Sequence, residues 1–505
     1  MTRFFTLAFS TCFAVGTAFS QPATDHINTG NPARPFGVNT YYKYGLVPSN
    51  LPTTGTYGRA TDAATAYNYW VQDFVEDCGD GSKRVKFDQI AYTVSEGIAY
   101  GMLLAAYAGD KETFDGLWAF YKKFKNANGV MQWKTTGCTS ATGGGATDAE
   151  LDAAMALVAA AVQWTSGTYA TDAKTLITAI RTKEMTSAGD TKGGDGWQEN
   201  SQRNPSYYAP AYYRQFANID TDNANFWSVT AVQKAEWHVM TNRHPITGLV
   251  SNWSNYATAK PAIRSSGNVV TLPDGTQKNT DTLYGYESIR NPWRMATDVL
   301  WNGNAAIAGN DICTKVAAFM VNKESNVRIL MNVDGTPITG NAWATGTSYM
   351  TSLAAMGAAN QASLNKLYSS VVTKNGRIDN NNLNTNSNYF SATLRCITLF
   401  MMTGNFWNPS DAEFPRTSPA TAIDFTQTTQ NVVVYPSPAS TVVNIETAQE
   451  MQKISIINSV GVKVLEQSAQ SQHETIDVSN LATGVYFVRI ELQNTTVEHA
   501  RFVKQ

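Results

Sequence analysis

The chain is poor in the residues that hold metals. It has five histidines and five cysteines in 505 residues, and no two cysteines fall in C-x-x-C spacing. A structural zinc site therefore lacks its usual ligand pattern. Excess positive charge is also missing. Lys+Arg total 38 against 40 Asp+Glu, a net charge of −2, so nothing is set aside to neutralise phosphates and no nucleic-acid partner is expected. Charged residues make up only 15% and hydrophobic residues 43%, a balance that excludes a disordered chain. Beyond the first twenty residues no apolar run is long enough to span a membrane.

What is present begins with a leader-like end. Arg3, the apolar run Phe4 to Phe19 and the small-x-small Ala18-Phe-Ser20 before Gln21 read as a secretory signal peptide over 1–20. A membrane anchor is the other reading, and the run is short of the roughly 20 apolar residues that a spanning helix needs. Removing the leader takes Cys12 and leaves Cys78, Cys138, Cys313 and Cys396. An even count in an oxidising compartment permits disulfides without assigning them. Cys78 and Cys138 sit in polar loop sequence on either side of a predicted helix, so a bridge between them stays open. Cys313 and Cys396 lie in apolar helical sequence and are expected as buried thiols.

From about Pro32 to Pro409 segments of helical length recur: 60–77, 95–108, 111–126, 148–165, 171–185, 210–216, 231–242, 292–303, 312–322, 345–359 and 389–402. Segments 148–164 and 345–359 are Ala-rich and apolar on most sides, as inner helices are. About twelve helices over this length suggest paired inner and outer rings. The intervening loops are expected to carry Trp133, Trp197, Tyr207, Tyr208, Tyr286, Trp293, Asn388 and Tyr389. Aromatic faces stack on sugar rings and amides pair with hydroxyls, so this set suits a neutral, hydroxyl-rich ligand. Core filling is the alternative for any one of them. After Pro409 the sequence turns to Ser, Thr and Pro, then to β-strand patterns at Val432, Lys453, Gly461 and Gly484.

Two carboxylate clusters suggest acid/base chemistry. Glu96 stands in Thr93-Val-Ser-Glu-Gly-Ile-Ala-Tyr-Gly-Met, where Gly97 and Gly101 share a helical face and allow close approach. Glu96 could equally be a helix N-terminal charge. Burial would raise its pKa and the helix end would lower it. Asp148 and Asp152, at i and i+4, share a face that Glu150 does not. A capping acid and an ion-pair partner are the plain readings of that pair.

These two segments resemble the signatures of glycoside hydrolase family 8. The later stretches Asn204-Pro-Ser-Tyr-Tyr-Ala-Pro, Tyr286-Glu-Ser-Ile-Arg-Asn-Pro-Trp-Arg-Met and Tyr389-Phe-Ser-Ala-Thr-Leu-Arg agree in order. The resemblance implies an all-α (α/α)6 barrel over 33–409 that cleaves β-1,4-linked glucan, xylan or chitosan with inversion. It makes Glu96 the general acid and Asp148 the carboxylate that binds and distorts the central sugar. Trp133 and Trp197 become stacking platforms, Tyr207 a partner of the attacking water, and Arg290 the group that holds the base, with Tyr286 and Tyr389 also at the substrate. The base position departs from the family's Tyr-Asp-Ala: here it is Tyr286-Glu287-Ser288, and Glu287 reaches the water if its backbone sits further back. Glu150 also stands where the signature has Asp, and Ala153 where it has Ile or Met.

The last 75 residues resemble the C-terminal sorting domain of type IX secretion, through Tyr435-Pro-Ser-Pro, the Asn458-Ser-Val-Gly-Val turn and Leu481-Ala-Thr-Gly-Val-Tyr-Phe-Val-Arg. This implies a small all-β sandwich over 431–505 after a linker at 410–430, with the secretion machinery as partner. The expectation is a secreted or surface-attached monomeric endo-β-1,4-glucanase. A xylanase of the same family is the alternative, and a catalytically weak polysaccharide-binding surface protein the alternative of another class.

Overall fold

The computed structural model describes residues 23–165, 167–265, 267–323, 330–340, 349–373, 389–418, 432–458, 462–493 and 497–505. The leader at 1–20, Asn388, the start of the helix expected from Thr345, most of the 410–430 linker and the centre of the turn after Asn458 lie outside the described residues.

Thirteen helices are described up to Met402: α1 Thr61–Phe74, α2 Ser95–Ala108, α3 Lys111–Lys123, α4 Thr147–Gln163, α5 Tyr169–Ala179, α6 Pro210–Ile219, α7 Val232–Asn242, α8 Asn291–Asn302, α9 Ile307–Lys323, α10 Tyr349–Ser352, α11 Ala354–Gly357, α12 Gln361–Thr373 and α13 Tyr389–Met402. Packing runs from α2 to α4, α6, α8, α10 and α13, and α13 returns to α2. The remaining helices pack outside that circuit, as α3 does on α2, α5 on α4, α7 on α6 and α9 on α8. Composition explains the two layers. Every residue of α2 is buried except Glu96, because Ala, Gly, Leu and Met offer no charged face to water. The outer helix α3 instead alternates, burying Phe114, Leu117, Trp118 and Tyr121 while Lys122 and Lys123 close its last turn. Asp110 caps α3 by accepting the Thr113 N–H at 3.1 Å.

Between helices lie short antiparallel pairs. Strand β1 Val75–Asp77 pairs with β2 Lys83–Val85; β3 Tyr92–Val94, β4 Lys134–Thr136 and β5 Ser140–Thr142 form one sheet; β6 Val269–Thr271 pairs with β7 Gln277–Asn279. The first predicted helix therefore ends at Phe74, since residues 75–77 leave it to pair with β2. The helix expected over 171–185 ends in a wider π-turn, Ile180–Glu184. The segment expected as one helix over 345–359 contains α10 and α11, broken at Leu353. Cys78 and Cys138 are bridged, with Cα atoms 5.8 Å apart, and Cys313 and Cys396 are buried free thiols.

The C-terminal region is all β. Strands β8 Val432–Tyr435, β9 Val442–Thr447, β10 Met451–Asn458, β11 Lys463–Ser468, β12 His473–Asp477, β13 Gly484–Leu492 and β14 Val497–Lys504 form a four-stranded sheet, β11-β10-β13-β14, and a three-stranded one, β12-β9-β8. One core joins them, with Val443, Ile445 and Ile476 from one sheet against Ile454, Ile456, Val488 and Ile490 from the other. The period of two is plain in β13, where Tyr486, Val488, Ile490 and Leu492 are buried in alternation. Upstream, the residues just after Pro409 are tied to the helical region: Arg416 N–H donates to Asn39 Oδ1 and the Arg34 guanidinium to the Asp411 carbonyl.

Candidate active site

Strand β3 feeds directly into α2. Ser95 N–H donates to the Trp133 carbonyl at 2.9 Å, which places Glu96 one residue into the helix beside the Trp133 backbone. Its neighbour Gly97 has no side chain because a Cβ there would stand 2.9 Å from the Tyr389 hydroxyl. That space lets Tyr389, at the start of α13, donate to Glu96 Oε1 at 3.1 Å. The Glu96 side chain stays 20% exposed at its edge, and desolvation is still the largest influence on its proton. Desolvation, aided by the charges of Asp148 and Glu287, pushes its pKa up to about 8 against the pull of Arg290.

Arg290 connects the carboxylates. It ends the short 3₁₀ turn Ser288–Arg290, and Pro292 then opens α8. Its Nη1 donates to Glu96 Oε2 at 2.7 Å and to Asp148 Oδ2 at 2.6 Å. Its Nη2 donates to Glu287 Oε2, and its Nε to the Glu287 carbonyl at 3.2 Å. One guanidinium thus faces three carboxylates drawn from α2, α4 and the turn before α8. Asn204 Nδ2 donates to the same Glu287 oxygen at 2.8 Å.

One helical turn further along, the same pairing repeats in closed form. Asp152 accepts from Arg294 Nη1 at 2.5 Å and from Nη2 at 2.7 Å, and both residues are buried. Asp148 and Asp152 share a face of α4 as their spacing predicts, and Glu150 turns away. It accepts from the Tyr121 hydroxyl. Burial first, then the charge of Glu184, raises the Glu150 pKa well above the carboxylate range. Glu184, on the π-turn after α5, is raised likewise, by burial first and then by Asp195 and Asp148.

The aromatic residues divide. Trp133 and Tyr286 are each 46% exposed, and Tyr286 lies beside Phe390, ring centroids 6.3 Å apart. Tyr207 lies over Arg290, whose guanidinium carbon is 5.5 Å from its ring centroid. Trp197 stacks on Trp253 at 5.3 Å and 11°, and Trp253 meets Tyr207 edge-on. Three expected loop residues belong to the core instead: Trp293 lies within α8, fully buried beneath the Arg294 guanidinium, Tyr208 is buried with its hydroxyl donated to Asp190, and Tyr389 opens α13, fully buried. Trp293 and Tyr208 flank motif residues in sequence, and only tertiary packing turns them inward, Trp293 from a helix buried on all sides and Tyr208 from the loop before α6. The sequence reading missed Asn204 as a partner of Glu287, Trp253 as the support of Trp197, and the Arg290 contacts to Glu96 and Asp148. Helix periodicity gives no signal for any of these, because each joins segments far apart in sequence.

A carboxyl held protonated near neutrality, two further carboxylates on the same guanidinium, and exposed aromatic rings beside them define an acid/base hydrolase site for a sugar-like ligand. The comparisons agree. The chain belongs to the glycosyl hydrolases family 8, whose family model matches residues 53–404. A second model, the secretion system C-terminal sorting domain, matches residues 433–505, so the protein carries a type IX export signal for secretion or surface attachment. The chain is 32% identical to Endoglucanase C of Ruminiclostridium cellulolyticum, covering 80% of this chain and 83% of that protein. It is 30% identical to Endoglucanase A of Acetivibrio thermocellus, covering 76% and 77%. The solved beta-1,3-1,4-glucanase of a Paenibacillus species superposes with a TM-score of 0.62 at 24% identity, covering 75% of this chain and 99% of that one, a likeness of fold.

Proposed function

We propose that the protein is an endo-acting glycanase that hydrolyses β-1,4 bonds of a plant glucan with inversion. Glu96 gives its proton to the glycosidic oxygen as the bond from C1 breaks. Water attacks C1 from the opposite face and loses its proton to Glu287, so the new reducing end has the α configuration. Asp148 binds and distorts the sugar at the cleavage point, Tyr207 pairs with the water, and Arg290 holds the base in place. Trp133, Trp197 and Tyr286 receive flanking sugars, and Tyr389 orients the acid. No metal or cofactor enters the scheme.

The observation that carries this reading is the shared guanidinium with Glu96 raised to about 8. Inversion needs one protonated and one ionised carboxyl, with room for a water between them. Groups held by adjacent nitrogens of one guanidinium have nearest oxygens within roughly 8 Å, so both carboxyls face one bound sugar, and the product anomer decides between inversion and retention. The shared contact with Arg290 supports Glu287 as the base despite its extra methylene. The endoglucanase names of the relatives favour glucan over xylan.

The packing circuit from α2 through α13, with the other helices outside it, supports reading the catalytic region as an (α/α)6 barrel. The enzyme is taken to act as a monomer. Reducing-sugar release is the test, from carboxymethyl cellulose, lichenan, xylan and chitosan, with wild type and Glu96→Gln, and with the product anomer followed by NMR. Glucan binding without release from any substrate would leave a polysaccharide-binding protein, and a β product would end the inverting scheme.

A further inference from the structure

The turn that carries Glu287 is held from below by one side chain. Asn252 is 2% exposed. Its Oδ1 accepts from Ser288 N at 2.9 Å, Ser288 Oγ at 2.9 Å and Glu287 N at 3.2 Å. Its own position is fixed independently, by Nδ2 donating to the Thr280 carbonyl at 2.8 Å and by its N–H donating to the Leu283 carbonyl at 2.8 Å. Ser288 Oγ also accepts from Gly285 N at 2.8 Å, closing the turn.

The neighbours of Asn252 extend the same hold. Trp253 carries Trp197 on its face, lies 4.0 Å from the Arg264 guanidinium carbon, and donates its N–H to the Asp281 carbonyl at 2.7 Å. Ser254 exchanges both backbone hydrogen bonds with Arg203, and the next residue, Asn204, reaches Glu287 Oε2. Three consecutive residues therefore bear on the carboxylate and on the aromatic platform.

We propose that Asn252 is a positioning residue for Glu287: three donors converging on one amide oxygen set the depth of the 285–288 turn, and so place a carboxylate one methylene longer than aspartate. The proposal rests on the reading of Glu287 as base. An amide oxygen has two lone pairs, so the three donors share them, Ser288 holding the shorter two contacts and the Glu287 N–H the longest. Asn252 has no direct part in the chemistry and acts only through the backbone of Glu287.

A double-mutant cycle separates this inference from the reading beneath it. Asn252→Ala is expected to lower kcat about 100-fold with KM within about threefold, the scale of an ångström's misplacement of a reacting group. Asn252→Asp keeps the acceptor but loses the donation to the Thr280 carbonyl, and is expected to recover part of that loss. In the Glu287→Ala background Asn252→Ala should cost almost nothing further, because the group it positions is already gone. Retained kcat in Asn252→Ala, or a full second loss in the double variant, would overturn the positioning role while leaving the base assigned. Glu287→Ala with near wild-type kcat would overturn the base reading, and the positioning role with it. If Asn252→Ala does not fold, Ser288→Ala removes one of the three donors and is read the same way: a severalfold fall in kcat that vanishes in the Glu287→Ala background supports the role, and its absence overturns it.

Discussion

Two arginine–aspartate pairs join α4 to α8 and its preceding turn, one helical turn apart, and they differ in one respect. The inner pair, Asp152 with Arg294, matches one charge to one charge, bidentate and buried. The outer pair, Asp148 with Arg290, must also serve Glu96 and Glu287. The inner pair is neutral and has no reason to exchange a proton. The outer one carries surplus negative charge in a partly desolvated place, and that surplus helps hold a proton on Glu96. Similar residues at the same spacing thus yield a brace in one place and a reacting centre in the other, and charge balance makes the difference.

The contrast is broken most strongly at the acid. Glu96→Gln is expected to lower kcat by roughly 10²–10⁴-fold without loss of thermal stability at neutral pH, because a neutral isostere replaces a carboxyl that already holds its proton. Initial rates and a melting curve on one preparation check both halves.

The inner pair should behave in the opposite way. Asp152→Asn leaves a buried guanidinium without its counter-charge and is expected to cost about 3–5 kcal/mol of stability. The folded enzyme at low temperature should keep kcat within about threefold of wild type. Denaturant unfolding beside initial rates measures this, and loss of activity without loss of stability would erase the distinction between the pairs.

The pH profile sharpens the comparison further. Glu96 must be protonated to act, and its raised pKa is about 8, so kcat/KM should fall as pH rises through about 8. Because this folded-state value lies above the unfolded one, Glu96 also costs the native state stability as pH rises above the ordinary glutamate range.

The smallest effect belongs to a separate carboxyl pair, the buried Glu150 and Glu184, whose pKa values are both raised. Stability attached to their protons is complete below the ordinary glutamate value and is lost as pH rises toward the folded-state values. Glu184→Gln should therefore raise the melting temperature at pH 8–9 by roughly 2–4 °C, with little change near pH 4. The rate should stay within about twofold, since neither glutamate bonds to Arg290.

Much of this was legible in the sequence. Helix length and apolar content marked α4 as an inner helix, the i, i+4 spacing put Asp148 and Asp152 on one face, and the Gly97 gap promised the close approach that Tyr389 makes. The break at Phe74 was not legible, because Val75-Glu-Asp continues a helical pattern until β2 arrives to pair with it. Strands β9, β12 and β14 of the C-terminal region also escaped notice, since their alternation is short and interrupted by polar residues. Trp293 and Tyr208 read as ligand-facing for lack of any local mark that they face inward.

The sequence alone determined which groups are available: one glutamate in an otherwise apolar helix, a face of aspartates, a run from Tyr286 to Arg294, and an exported β tail. Tertiary structure decided which of them share a charge. Helical periodicity governs neighbours within a few residues, whereas Arg290 meets Glu96 across 194 residues and Asp148 across 142. Protonation follows from that three-dimensional sum of burial and charge, which no local pattern encodes.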